Sequence, residues 1–346
     1  MRFKAGPCAR LFSCRDKGLP LPASGERGLF RESSSTPSFP LAVICSTRRG
    51  SIQACRGLQA SLPPLFFSTQ WSLSMTSLPI VGAAMTLDDV ETHRNWLLEK
   101  PRDLELQSFV EADVLNGDWA PLAERARKLL DGHQGRLGIH GPFWGFIIAS
   151  QDPDIRAVVS RRLLQALDVC ANIGATQMVI HSPYTSWSYN NLDNNKGERE
   201  KIIEYTHQTL KDAVKRAEDI GLTMVIENIE DKDPHIRVGL ANSFNSPAVA
   251  VSIDTGHAHY AHGYTGAPPV DYYVHAAGNR LQHIHLQDAD GYADRHWSLG
   301  EGNIHWRAVF AALAKLDSNP RLIIEIKDKS KIPASAAYLA SLGLAE

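Results

Sequence analysis

The sequence predicts one α/β domain over residues 75–346, a (β/α)₈ (TIM) barrel, preceded by a disordered extension over residues 1–74. Three observations predict it. Eight short apolar runs recur at roughly 35-residue spacing, separated by amphipathic stretches, which is the pattern of parallel βα units. No Gly-x-Gly-x-x-Gly follows the first run, which argues against an open dinucleotide-binding sheet. Six of the runs stop on or beside His, Asp or Glu, and in a barrel those ends converge on one face.

The extension separates by composition. Its 74 residues carry ten Lys/Arg against only Asp16, Glu26 and Glu32, leaving 26 basic and 35 acidic residues downstream. The overall charge of −2 therefore divides into a basic head of about +7 and an acidic body of about −9. Runs such as RESSSTPSFP hold no period of 2 or 3.6 and too little apolar surface to build a core. The head is expected to be a transit peptide, implying organellar import, or, as the favoured reading, a stretch translated ahead of a start at Met75. Cys8, Cys14, Cys45 and Cys55 lie in it without Cys-x-x-Cys spacing, so neither a zinc knuckle nor a disulfide framework is indicated. Cys170 alone in the body, and no run of about 18 apolar residues, predict a cytoplasmic protein with no membrane span.

In chain order the expected strands are LPIVGAA (78–84), DLELQSF (103–109), RLGIH (136–140), QMVIH (177–181), LTMVIE (222–227), AVAVSID (248–254), LQHIHL (281–286) and RLIIEI (321–326). Between the third and fourth, DIRAVVSRRLLQALDVCANIG reads as a helix that buries Cys170. Between the fourth and fifth, EREKIIEYTHQTLKDAVKRAEDIG reads as a second helix, stopped by Gly221.

The strand ends carry the chemistry. His140, His181, Glu227, Asp254, His285 and Glu325 close runs three to eight, where a carboxylate or imidazole is costly unless something pairs with it. His257, three residues after Asp254, and Asp294 and His296 in the following loop extend the set to nine nitrogen and oxygen donors without thiolate. That donor set suits Zn²⁺, Mn²⁺ or Mg²⁺ rather than an iron–sulfur or copper site.

These residues sit in recognisable phrases: His140-Gly-Pro-Phe-Trp-Gly-Phe, IHSP at His181, IEN at Glu227, IDTGH across Asp254 and His257, HLQD at His285, DRHWSLGEGNI from Asp294 to Ile304, and IEI at Glu325. Together they resemble the xylose isomerase-like barrel superfamily, which joins sugar phosphate isomerases and epimerases with endonuclease IV-type abasic-site nucleases (AP endonuclease family 2). In the isomerase and epimerase branch, the resemblance implies one divalent ion on Glu227, Asp254, His285 and Glu325. Glu227 and Glu325 would exchange a proton through a metal-stabilised enediolate, and His257 would hold a substrate oxygen. His140, Trp144 and Asn228 would bind the substrate, a small sugar or sugar phosphate. In the nuclease branch the resemblance implies up to three Zn²⁺ on His140, His181, Glu227, Asp254, His257, His285, Asp294, His296 and Glu325. A lyase resembling inosose dehydratase is a third alternative.

Charge separates the branches, because a duplex-binding enzyme needs Lys and Arg for phosphates and the body is acidic without any basic run of five. His181-Ser-Pro-Tyr and Asp254-Thr-Gly-His257 also depart from the nuclease phrases HPGS and DTCH. The isomerase or epimerase is therefore the favoured reading, with nucleic acid disfavoured as a partner and self-association left open. Plainer roles are expected elsewhere: His283 as a packed barrel-layer residue, His259 and His262 as local hydrogen-bonders, and His93, His133, His207 and His275 as helix-surface residues. Phe143, Trp144, Phe146, Tyr184 and Trp187 are placed at the mouth of the site, to stack on substrate or to cover the barrel top. Arg295 and Lys327 are candidates to meet a phosphate.

Overall fold

The structure is a computed structural model that describes residues 77–346, so the expected extension, its four cysteines and the expected start at Met75 lie outside the described residues. Eight parallel strands close in sequence order into a barrel: β1 (Gly82–Met85), β2 (Leu104–Leu106), β3 (Leu137–His140), β4 (Gln177–His181), β5 (Thr223–Glu227), β6 (Val249–Asp254), β7 (Leu281–Leu286) and β8 (Arg321–Ile324). Every expected run supplies a strand. The first begins later than its apolar run, because Val81 N donates to Glu346 O and Glu346 N donates to Pro79 O, tying that segment to the C-terminal residue instead of the ladder.

The helices cover the barrel with the faces the sequence offers. Helix Pro153–Ile173 buries Val159, Leu163, Ala166, Leu167 and Cys170, a stripe at helical spacing, and packs beside helix Glu198–Asp219, which buries Leu210, Ala213 and Ala217. A fully buried leucine contributes roughly 2 kcal/mol, so these stripes hold the layer in place. Gly174 and Gly221 follow the two helices in the left-handed region, at φ 76° and 65°, which a side chain would strain.

Strand alternation then builds the site. Residues two apart point to one side, so Gln177/Val179/His181, Thr223/Val225/Glu227, Ala250/Ser252/Asp254 and Arg321/Ile323/Glu325 climb the inside of the barrel while their neighbours face the helices. Val179, Val225 and Ala250 form a small apolar layer inside. The polar ends stand above it. His181 is in register with Glu227 and Asp254 with His285, which brings residues distant in sequence side by side. Among the described residues no helix is long and apolar enough to cross a membrane.

Candidate metal centre

The nine strand-end and loop donors gather into connected groups. Ligand atoms of His140, His181 and Glu227 lie within 4.8 Å of one another, as do those of Glu227, Asp254, His285 and Glu325, and those of His257, Asp294 and His296. Glu227 belongs to two of them. The first two groups are almost wholly buried, whereas Asp294 and His296 are partly open to solvent.

The imidazoles are aimed. His140 Nδ1 lies 2.8 Å from the Gly141 carbonyl, His257 Nδ1 2.9 Å from that of Asn228, and His296 Nδ1 3.1 Å from that of Glu325. A carbonyl only accepts, so each Nδ1 is the donor there and the ring turns its Nε2 inward. Those Nε2 atoms meet carboxylate oxygens: Glu227 Oε2 at 3.6 Å for His140, and Asp294 Oδ2 at 3.3 Å for His257 and 3.2 Å for His296. His285 is reversed, its Nε2 lying 3.0 and 3.1 Å from the Glu105 oxygens and its Nδ1 facing Glu227 Oε1 at 2.8 Å and Glu325 Oε2 at 3.3 Å. Each inward nitrogen and the carboxylate it faces need a cation between them, a proton in the metal-free chain or a metal ion when one binds, and one pinned ring nitrogen is how proteins orient metal-binding histidines.

An orphaned atom makes the same point. Glu227 Oε2 is buried without a hydrogen-bond partner, with His140 Nε2 at 3.6 Å and His181 Nε2 at 3.5 Å. A buried carboxylate oxygen in that state is costly, and a divalent ion would satisfy it. The donor set therefore fits a divalent metal.

Electrostatics follow from the crowding. Burial pushes the Glu227 carboxyl up, but the charge of His285, its hydrogen bond and the nearby His140 outweigh it and hold it well below the usual carboxylate range. Burial lifts Asp254 to about 6, against the pull of His257. His181 is lowered to about 3 by burial and stays neutral, ready to ligate. His296 rises to about 9, because Asp294, Glu325 and Asp254 overcome its burial. Its backbone is also left-handed, at φ 49°, clasped by Gln287 Oε1 accepting from His296 N and by Lys327 N donating to His296 O.

Several supporting residues were not singled out from the sequence. Glu105, in the middle of β2, accepts from His285 and lies 3.2 Å from His283 Nε2, while Ser252 Oγ meets His283 Nδ1 at 2.8 Å. A carboxylate inside the short apolar run Leu-Glu-Leu is the signal for it, since burial there demands a partner. Gln107 donates to Glu325 Oε1 and accepts from the half-buried Lys329, whose Nζ also reaches Ala84 O. Behind β5, the fully buried Asp231 and Arg237 pair at 3.1 Å, and Arg237 also donates to the carbonyls of Ile226 and Ser252.

Other expected residues fall differently. Asn228 is 1% exposed, its Nδ2 donates to Asp254 O and its Oδ1 accepts from Asp254 N, so it locks β5 to β6. Trp144 stands at the mouth, 65% exposed, and it is Phe143 that stacks on His181. Arg295 is committed to Asp290 at 2.9 Å, while Lys327 is exposed. His283 is an interior barrel residue, and His262 bonds locally to Ala267, whereas His259 reaches Asn303, 44 residues on. His133 lies in a turn rather than on a helix, where Arg102 O reaches it at 2.7 Å.

Residues 103–344 match the xylose isomerase-like TIM barrel family. The chain belongs to that family. It is similar to protein MJ1311 of Methanocaldococcus jannaschii, at 23% identity over 58% of this chain and 68% of the relative. Among solved structures, protein TTHB071 from Thermus thermophilus, soaked with ZnCl₂, is 26% identical with a TM-score of 0.56, covering 76% of this chain and 97% of the other. A D-tagatose 3-epimerase-like protein superposes with a TM-score of 0.59 at 20% identity, over 75% of this chain and 96% of its own, which is a likeness of fold.

Proposed function

We propose that this xylose isomerase-like barrel is a divalent-metal-dependent isomerase or epimerase of a small sugar or sugar phosphate. The observation that carries it is the group Glu227, Asp254, His285 and Glu325, in which two carboxylates approach Nδ1 of an imidazole whose Nε2 is pinned on Glu105. A divalent ion held there supplies Lewis-acid polarisation of substrate oxygens. Glu227 and Glu325 form the proton-transfer pair: one removes the proton beside the carbonyl and the other returns it. His257 holds a substrate oxygen from the open side, and His140 and Trp144 border the substrate. The ZnCl₂ soak of the Thermus protein makes zinc the first ion to try.

The test is a sugar and sugar-phosphate panel incubated in D₂O with the zinc- or manganese-loaded chain. Deuterium appearing beside the carbonyl supports the proposal, and no exchange on any member of the panel overturns it.

A second reading, three-zinc hydrolysis of a phosphodiester, is favoured by one observation: Glu227 joins two groups and its orphaned Oε2 faces His140 and His181. Against it stand the acidic body and the engagement of nearby cations, where Arg199 in the first turn of helix Glu198–Asp219 pairs with Asp193, and Arg295 on the loop after β7 with Asp290. Three zinc ions per chain together with cleavage of an abasic duplex would replace the isomerase reading with this one.

A further inference from the structure

Between the four-residue group and the solvent-facing group lies one neutral side chain. Gln287, on the loop leaving β7, is fully buried and every polar atom of its carboxamide is engaged. Its Nε2 donates to Asp254 Oδ1 at 3.0 Å and Oδ2 at 3.2 Å, and to Asp294 Oδ1 at 2.9 Å, while its Oε1 accepts from His296 N at 2.6 Å. Two carboxylates on one end and a backbone N–H on the other leave only one orientation for the amide. The backbone of Gln287 is fixed as well: Thr255 Oγ1 donates to Gln287 O at 2.8 Å and accepts from Gln287 N at 3.0 Å. The turn that bears Asp254 and His257 thus grips the residue that spans Asp254 and Asp294.

The same turn makes room for it. A Cβ built on Gly256 would stand 2.3 Å from both Cδ and Oε1 of Gln287 and 2.7 Å from Nε2, distances that real Cβ atoms do not show. Gly256 lies inside helix Thr255–Thr265 and its φ is not in the left-handed region, so the backbone there would accept any residue. Space alone demands glycine. The side chain it makes room for is the one that restrains Asp254, a member of the four-residue group.

We infer that Gln287 is a positioning residue for the metal centre, holding Asp254 against the His257/Asp294/His296 group, and that Gly256 and Gln287 form a matched pair in which each is required by the other. This rests on the centre binding a divalent ion and on neither of the reactions above, so the deuterium-exchange and duplex-cleavage assays can fail without touching it.

The test is a double-mutant cycle on Zn²⁺ affinity, read by competition with a chromophoric chelator, with melting of the metal-free chain measured alongside. Gly256→Ala should weaken zinc binding by about 10- to 100-fold, the range for losing a support of a ligating side chain, and Gln287→Ala should do the same. In the Gln287→Ala background the clash is gone, so adding Gly256→Ala should cost less than two-fold more. Should Gly256→Ala alone fail to fold, recovery of a folded chain by Gln287→Ala supports the pairing, and continued failure of the double variant overturns it. Unchanged zinc affinity in either single variant, or effects that multiply in the double variant, also overturns the inference.

Discussion

Arg237→Met should cost the fold several kcal/mol, although the residue touches none of the metal-group atoms. Arg237 is fully buried, its Nε on Asp231 Oδ1 at 3.1 Å and its Nη1 on the Ile226 and Ser252 carbonyls. Ile226 precedes Glu227 and Ser252 lies two residues before Asp254, so the guanidinium stitches β5 to β6 just below the metal groups. Its removal leaves Asp231 buried with only Ser182 Oγ at 2.9 Å and Ile229 N at 3.2 Å as donors. Breaking a buried ion pair by deleting one partner costs roughly 3–5 kcal/mol. At roughly 2 °C per kcal/mol for a domain of this size, the melting temperature should fall by about 6–10 °C. Burial already pushes the Asp231 carboxyl up against the pull of Arg237, so protonation can relieve part of the loss and the lower end is expected. Adding Asp231→Asn removes the stranded charge and should recover at least half of the drop, the remainder reflecting the two carbonyls. Calorimetry on the single and double variants decides it. A single variant that melts within about 2 °C of the parent, or a double variant no better than the single, would refute the reasoning.

Two further predictions concern the site. Glu227→Gln keeps shape and the 2.8 Å contact to His285 but removes the charge shared by two groups. Solvent-deuterium exchange into substrate should fall by at least 100-fold with the chain still folded, and persistent exchange would dismiss Glu227 as acid or base. The pH dependence should differ with and without metal. His296 is raised from 6.5 to about 9 in the folded chain, so its proton stabilises the metal-free fold fully below pH 6.5, and that contribution disappears as pH rises through about 9. Zinc must displace the same proton, so its stabilising increment should grow over that interval. Melting curves with and without saturating Zn²⁺ should diverge between pH 6.5 and 9, and a constant gap would contradict this.

The barrel was legible because its two periods are explicit in the chain: alternate residues in β4 to β8 end in His, Asp or Glu, and the helix stripes repeat every three or four residues. The site ligands were legible for a related reason, since a polar group at the end of an apolar strand has no cheap structural explanation. What escaped was support from the side and from below. Glu105 pairs with residues 178 and 180 positions away, and Gln287 spans carboxylates whose nearness depends on the closed barrel. The tie of Asn228 to the backbone of Asp254 could not be read either, because it depends on the pairing of β5 with β6. Arg237 carries no signal of its own in the sequence, because the carbonyls it meets belong to β5 and β6.

The central claim is that Glu227, Asp254, His285 and Glu325 hold a divalent ion, and anomalous diffraction at the zinc edge from zinc-soaked crystals tests it most directly. The account predicts a peak among those four side chains, bound by His285 through Nδ1 while Nε2 stays on Glu105. A soaked crystal with zinc elsewhere, or nowhere, and those four side chains unchanged would contradict it.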